Sequence, residues 1–158
     1  MSDLVHPHPG RAVRIGLETI RGLGEGAKRI CDARLDGPWE SLADLASRAR
    51  LSESQMEKLS RAGALEDLGI SRRQGLWGAS VVGRPQWEQP YIPGTEPGMV
   101  APSLPEMTEV ERVTSDYASL GLSTQKHPME FAREELSNLG VVPLVHLGEA
   151  AHGSRVRV

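Results

Sequence analysis

The chain of 158 residues has a single cysteine, few aromatic residues and no long apolar run. One cysteine, Cys31, cannot form an internal disulfide, which excludes a disulfide scaffold and is typical of a reducing compartment. Aromatic residues make up only 4% of the chain, which excludes a large aromatic core. No segment approaches the roughly 20 apolar residues that cross a bilayer, and the first residues do not resemble a signal peptide. These absences predict a cytoplasmic protein with no membrane partner.

Charge is distributed unevenly along the chain. Residues 11–84 carry thirteen Lys or Arg against ten Asp or Glu, whereas residues 85–158 carry five against ten. The net charge of −3 therefore combines a weakly basic first half with an acidic second half. Only the first half has the charge of a polyanion-binding surface, although a solvated helical surface has the same balance.

Glycine, proline and helix-capping residues divide the chain into five segments. Residues 1–12 are predicted to be a flexible lead, residues 13–80 a module of five short helices, and residues 81–105 a linker rich in proline and glycine. Residues 106–147 read as a helical connector, and residues 148–158 end in the strand-like alternation SRVRV. The helices are too short to persist singly, so mutual packing must hold them. The sequence predicts a mainly α-helical fold.

Capping residues mark where several of these helices begin. Ser41 and Ser71 stand at N-cap positions, and Ser52 with Gln55 has the spacing of a capping box. His127 precedes Pro128, a favoured first helical residue, and is predicted to cap the last helix. Apolar residues at helical spacing predict two buried faces, listed here: Ala27, Ile30 and Cys31; Leu42, Leu45, Ala46 and Ala49.

Residues 20–30, IRGLGEGAKRI, place three glycines in a run that otherwise favours a helix. Each glycine costs about 1 kcal/mol relative to alanine inside a helix, so we expect a turn or a close approach. Gly22 permits a positive φ, and Gly24 opens the next helix with no side chain in front of its first N–H groups. Such unpaired donors, together with the helix dipole, form an anion site of phosphate size. Gly26, inside the next helix, is expected to permit close packing or approach, and the sequence gives no firmer account of it.

The charged residues near this turn bear on whether it is a phosphate site or a turn that binds no ligand. Arg21, Lys28 and Arg29 lie close enough in sequence to add positive charge. Such a site holds nucleic-acid backbone and reads no base, so binding would be independent of sequence and sensitive to salt. Against this, Glu25 stands near the anion position, and a Gly-Leu-Gly turn can also join two packed helices without any ligand.

A second turn, AGALEDLG at residues 62–69, looks like a degraded copy of the first. It carries Glu66 and Asp67 where a phosphate would approach, so we expect this half to brace the other. A nucleotide-binding P-loop is a poor alternative for the first turn, because GLGEGAK lacks the G-x-x-x-x-G-K-[ST] spacing.

Three stretches together resemble one family: VRIGLETIRGLGEGAKRI, GPWESLADLASRARLSESQMEKLSRAGALEDLGISRRQGLW and LPEMTEVERVTSDYASLGLSTQKHPMEFAREEL. They are similar to bacterial C-family DNA polymerases, from the tandem helix-hairpin-helix module to the OB-fold. Within that family the similarity is to the error-prone, damage-tolerance branch rather than to the replicative polymerase III α subunit. The resemblance covers residues 13–158.

The resemblance implies a fold and a set of contacts. Residues 13–80 would be the tandem helix-hairpin-helix module that grips duplex DNA backbone, and residues 148–158 would begin a truncated OB-fold. Gly22, Leu23 and Gly24 match the family's phosphate-facing hairpin. With the basic neighbours, the predicted DNA-binding set is Arg21, Gly22, Leu23, Gly24, Lys28 and Arg29.

The resemblance also implies a role in translesion synthesis, DNA repair and damage-induced mutagenesis, without catalysis by this chain. The family's catalytic acids lie in an upstream palm domain, and no Asp-x-Asp pair occurs here. Two-metal nucleotidyl transfer needs convergent acids, so this chain alone should not polymerise DNA. We therefore expect no cofactor in this chain, although a parent polymerase would need Mg²⁺. Partners would be duplex DNA, other damage-tolerance proteins and the sliding clamp only indirectly. The nearest clamp-peptide candidate, QPYIP at Gln89–Pro93, has proline in place of the aromatic anchor.

Two alternative functions remain open from the sequence. The acidic half and the proline-rich linker would suit a region that docks partner proteins. Asp44 lies about twenty residues beyond Gly24, near where helix-hairpin-helix DNA glycosylases place a catalytic aspartate. Its position as the third residue of a capped helix gives a simpler explanation.

Overall fold

The computed structural model describes residues 15–82 and 101–158, which belong to two compact units divided after Glu106. The predicted lead at residues 1–12 and most of the predicted linker at residues 81–105 lie outside the described residues. The same holds for the QPYIP segment. The described part of the first unit is residues 15–82 and 101–106, and the second unit is residues 107–158.

The first unit has the order of helices predicted for a tandem helix-hairpin-helix module. A 3₁₀ turn at Leu17–Thr19 leads into α1 (Glu25–Ala33), a further 3₁₀ turn at Arg34–Asp36 follows, and α2 is Leu42–Arg48. Helix α3 is Glu53–Arg61, a 3₁₀ turn occupies Glu66–Leu68, and α4 is Arg72–Val82. The five predicted helical elements are confirmed, and the first of them is a single 3₁₀ turn.

The predicted caps explain where these helices begin. Ser41 Oγ accepts a hydrogen bond from the N–H of Asp44 at 3.1 Å, and Ser52 forms a full capping box with Gln55. Ser71 Oγ accepts from the N–H of Gln74 at 3.3 Å. With seven to eleven residues, helices α1 to α4 are below the roughly 12 to 15 residues that an isolated helix needs in water. Burial of their apolar faces against one another must supply the remaining stability.

The core of the first unit is aliphatic and draws on every helix. Helices α3 and α4 approach closely because small residues face each other: a Cβ on Gly75 would lie 2.6 Å from Ser60 Oγ. Gly78 likewise leaves room for Leu42 of α2. The buried apolar residues of this unit are Ile20, Leu23, Ala27, Ile30, Leu42, Leu45, Ala46, Ala49, Leu51, Met56, Leu59, Leu65 and Ala79.

One predicted core residue is misplaced. Cys31 was expected on the buried face of α1 with Ala27 and Ile30, but it is exposed. The buried face of α1 is narrow and continues from Leu23 of the preceding turn, so residues at steps of three and four from Leu23 fill it. Cys31, one residue after Ile30, falls outside that stripe.

Two α-helices form the described second unit: α5 is Glu109–Leu120 and α6 is Pro128–Asn138. Helix α5 ends at Gly121 in the left-handed conformation, with φ of 81°. The prediction for His127 is also confirmed, because its Nδ1 accepts a hydrogen bond from the N–H of Met129 at 3.2 Å. In the connecting loop, Lys126 Nζ donates to the Glu109 carboxylate at 2.7 Å, and this hydrogen bond with its charge attraction raises the pKa of Lys126.

The buried face of α5 differs from its apolar pattern. Val113 is buried, but Val110, three residues earlier, is 52% exposed, and the polar residues Asp116 and Ser119 are buried instead. Asp116 accepts a hydrogen bond from Ser123 Oγ at 2.7 Å, which compensates part of the cost of burying a carboxylate. Apolar spacing alone could not anticipate this polar contact.

The strand-like end SRVRV makes one bridge rather than a strand. Val141 and Arg157 form a parallel bridge, and the N–H of Val142 donates to the carbonyl of Arg157 at 2.8 Å. In the described residues of the second unit no named strand is present. The start of an OB-fold at residues 148–158 stays a prediction.

Arg48 fastens α2 to the end of α1. Its guanidinium donates to the carbonyls of Ala33, Gly37 and Pro38 and pairs with Asp44 at 3.1 Å. It also lies 4.4 Å from the centre of the Trp39 ring. A planar fork with five donors can make all these contacts at once, whereas a lysine ammonium cannot.

We expect Arg48→Lys to lower the free energy of unfolding by about 2 kcal/mol, because several charge-assisted hydrogen bonds and the ring contact are lost together. Urea denaturation monitored by circular dichroism measures this. Arg34→Lys, at an exposed position beside the same loop, is the control and should leave the midpoint unchanged. Equal midpoints for both variants would contradict the fastening role of Arg48.

Candidate nucleic-acid interface

The first hairpin, residues 20–24, turns on two glycines with positive φ. Gly22 has φ of 74° and Gly24 has φ of 53°, and both are exposed. The side chain of Leu23 between them points into the core and is 1% exposed. Because Leu23 is anchored, the two glycines face outward in a fixed geometry. Residues with a Cβ would be strained at both positions.

The hairpin leaves backbone donors without acceptors. The N–H of Leu23 donates to Ile20 and that of Gly26 to Leu23, but the N–H groups of Gly22, Gly24 and Glu25 have no acceptor in the described part of the chain. They lie at the N-terminus of α1, where the helix dipole adds positive potential. The geometry is that of an anion site.

The predicted basic residues divide into two groups. Arg21 and Lys28 are exposed, one within the hairpin and one on the first turn of α1. Arg29 is placed differently: its Nε donates to the Ala49 carbonyl at 2.9 Å and its Nη2 to Gln55 Oε1 at 3.0 Å. Arg29 therefore holds α1 against α3, rather than offering its full guanidinium to a ligand.

Gln55 of α3 explains Gly26. Its Nε2 donates to the carbonyl of Leu23 at 3.1 Å, which fixes the first hairpin against the second half of the module. A Cβ on Gly26 would lie 2.9 Å from that Nε2 and 3.1 Å from the Leu23 side chain. Gly26 is thus required for the close approach of Gln55 to the hairpin.

A second residue of α3 reaches the hairpin and was missed in the sequence. The side chain of Lys58 passes over Gly22, with its Cε 2.9 Å and its Nζ 3.1 Å from where a Cβ on Gly22 would stand. Lys58 is thirty-six residues beyond Gly22 in the chain, so no local motif connects them. Only the packing of α3 against the first hairpin brings them together.

The second hairpin, residues 62–71, has no comparable opening. Gly63 and Gly69 again have positive φ, but Glu66 pairs with Arg72 at 3.1 Å, and Arg72 also donates to the carbonyl of Arg61. The Arg72 guanidinium packs against Gly63. These contacts close the second hairpin on itself, and a bracing role for this half stays a prediction.

Two acidic residues, Glu25 and Asp44, bear on the anion site and on the glycosylase alternative. Glu25 is exposed at the first position of α1, so its carboxylate stabilises the helix but opposes an anion at the same place. Asp44 accepts hydrogen bonds from Arg48 and from the N–H of Glu40, both at 3.1 Å. A carboxylate engaged in this way is a structural residue of α2, which argues against a glycosylase base.

Other kinds of site are not seen in the described segments. No group of three or more His, Cys, Asp or Glu in residues 15–82 and 101–158 is placed to hold a metal ion. None of the helices in these two segments combines the length and apolar character that crossing a bilayer requires.

Comparison with known proteins gives a consistent result. The helix-hairpin-helix motif family matches residues 2–75. The protein called "Error-prone DNA polymerase" of Mycobacterium bovis is 39% identical over 153 residues, which cover 94% of this chain and 14% of the relative. The chain is homologous to part of the error-prone DNA polymerases. The resemblance inferred from its motifs is thereby confirmed.

Error-prone DNA polymerases of other organisms have similar sequence identity to this chain. The error-prone DNA polymerase of Corynebacterium glutamicum is 38% identical over 154 residues, and that of Nocardia farcinica is 40% identical over 159 residues. These alignments cover 95% and 94% of this chain. In each case the chain spans about 14% of the length of the error-prone polymerase that it matches. No solved structure matches the chain.

We expect Gly22→Ala to lower the free energy of unfolding by about 1 to 2 kcal/mol, because an L-residue is strained at its positive φ. The added methyl would also displace Lys58. Thermal denaturation measures the change.

Gly16→Ala is the matched control for this substitution. Gly16 lies nearby with φ of −70°, and nothing stands within 4 Å of its Cβ position. It should tolerate alanine or gain slightly in stability. If the two variants were equally stable, the strained turn at Gly22 would be refuted.

Proposed function

We propose that this chain binds the backbone of duplex DNA independently of sequence, as a non-catalytic part of an error-prone translesion polymerase. The observation that carries the proposal is the first hairpin, where Gly22 and Gly24 present unpaired N–H groups at the N-terminus of α1. Such donors bind phosphate oxygens in the way that anions bind at helix N-termini. They contact no base edge, so they carry no sequence information.

Within this proposal the predicted contact residues have two different tasks. Gly22 and Gly24 supply backbone donors, while the exposed side chains of Arg21 and Lys28 supply positive charge. Leu23 anchors the turn in the core, and Arg29 holds the hairpin's helix against α3. The two anchoring residues therefore affect DNA binding through the shape of the site.

The relatives support DNA as the polyanion, since they are named as DNA polymerases. We assign no catalytic step to this chain, because two-metal phosphoryl transfer requires convergent acids and its sequence has no Asp-x-Asp pair. Magnesium would serve the polymerase as a whole, and we place no magnesium ligand in this chain.

A second candidate function is protein docking by the second unit, as the acidic half already suggested. Several large apolar side chains of this unit are exposed, among them Leu139 at 58%, Leu144 at 72% and Val145 at 82%. Exposed apolar residues of this size favour contact with another protein surface. Other damage-tolerance proteins would be the partners, and the sliding clamp would be reached through them.

We expect Lys28→Ala to weaken binding to a duplex of about 20 base pairs, and to reduce the slope of log affinity against log salt by about 0.9. The reason is that one phosphate contact, with its released counterion, is lost. Fluorescence anisotropy from about 50 to 200 mM salt measures both quantities. Lys126→Ala is the control, because Lys126 is the matching lysine of the second unit and pairs with Glu109.

The outcome for different DNA sequences is part of this test. Two duplexes of unrelated sequence should lose affinity equally on Lys28→Ala, because phosphate contacts carry no sequence information. An unchanged affinity and slope for Lys28→Ala, measured against the control, would remove Lys28 from the interface.

We expect Glu25→Gln to strengthen duplex binding about two- to fivefold at low salt, because a negative charge beside the phosphate site is removed. The same variant should be slightly less stable, since it loses a favourable charge at the N-terminus of α1. Glu134→Gln on α6 is an exposed control with the same change of charge. If Glu25→Gln weakened binding, the anion site would have to lie elsewhere.

A further inference from the structure

Lys58 occupies the space left by the absent side chain of Gly22. Its Cε and Cδ lie 2.9 and 3.5 Å from where the Cβ of a larger residue would be. The aliphatic part of the lysine therefore packs on the glycine, and its ammonium emerges beside the first hairpin. This placement gives Gly22 a second role besides its positive φ.

The ammonium of Lys58 has no acidic partner in the described part of the chain. Its Nζ donates to Ser54 Oγ at 3.0 Å, and no carboxylate of the described residues forms an ion pair with it. A positive charge is thus held beside Gly22, whose unpaired N–H carries a partial positive charge as well. The Lys58 ammonium adds to the positive potential of these donors and offsets the opposing carboxylate of Glu25, so an anion is favoured there.

Helix α3 is fixed relative to the hairpin, so this convergence is built into the fold. Gln55, one turn before Lys58, donates to the carbonyl of Leu23, and Arg29 donates to Gln55. Side chains three residues apart on a helix lie on neighbouring parts of one face. The contacts that position Gln55 therefore also position Lys58.

We propose that Lys58 completes the phosphate site of the first hairpin. One DNA phosphate would then be held by backbone N–H groups from the first half of the module and by an ammonium from the second half. The inference rests on the proposed function, because it names a further contact of the same site. It differs from the sequence prediction, in which Arg21, Lys28 and Arg29 supplied the positive charge.

The test compares Lys58→Met with Lys126→Met in the full chain, using a fluorescent duplex of about 20 base pairs. Methionine keeps the apolar stem that packs on Gly22 and removes only the charge. Lys58→Met should weaken binding about three- to tenfold at low salt and reduce the salt slope by about 0.9. Lys58→Arg should keep the slope of the parent, and Lys126→Met should match the parent in both quantities.

A second readout needs no substitution. Duplex DNA should slow the modification of Lys58 by an amine-reactive ester, followed by mass spectrometry, and should leave the rate at Lys126 unchanged. The ester is attacked by the neutral, deprotonated amine of an accessible lysine, which forms an amide as the ester's alcohol component leaves, so a slower reaction at Lys58 reports that the side chain is covered.

The outcomes separate this inference from the proposed function. If the parent chain binds duplex DNA with a salt slope and Lys28→Ala weakens it, while Lys58→Met binds like the parent and Lys58 is not protected, the role of Lys58 is overturned alone. If the parent shows no salt-dependent binding, the proposed function fails. If Lys58→Met binds duplex DNA more weakly than the parent and DNA protects Lys58 from modification, both the role of Lys58 and the proposed function are supported.

Discussion

The hydrogen bond from Gln55 Nε2 to the carbonyl of Leu23 joins the two halves of the first unit at the point where function is proposed. The same Gln55 side chain completes the capping box of α3 and accepts a hydrogen bond from the Arg29 guanidinium. The side-chain amide of Gln55 therefore caps the N-terminus of α3, holds the turn that precedes α1, and fixes the position of Arg29 between the two helices. Because these helices are too short to be stable alone, such shared contacts determine their relative placement.

Glycine serves this arrangement in three distinct ways. Gly22 and Gly24 adopt positive φ and so form the turn that exposes backbone donors. Gly26 lies inside α1 with ordinary helical geometry, and it is needed because Gln55 comes within reach of its missing side chain. Gly75 lets α3 and α4 approach through Ser60. The cost of glycine in helix propensity is offset by contacts that only close approach allows.

The proposed anion site is built from backbone groups, which has consequences for specificity and for the evolution of the surface. The donors belong to the main chain, so side chains around them can change without removing the site. Arg29, which was predicted to contact DNA, is half-buried and donates to groups at the end of α2 and in α3, whereas Lys58, which the sequence did not single out, lies at the hairpin. The charge at the site is therefore set by which helices pack against it, as well as by the motif itself.

The sequence by itself determined the local structure: the helix boundaries follow from Ser41, Ser52, Ser71 and His127, and the hairpin follows from the glycine spacing. These features depend on contacts within a few residues, so a local pattern suffices to predict them. Tertiary packing decided the exposure of Cys31, the burial of Asp116, the engagement of Arg29 and the place of Lys58. Each of these depends on which partner surface meets a helix face, and those partners are far away in the chain.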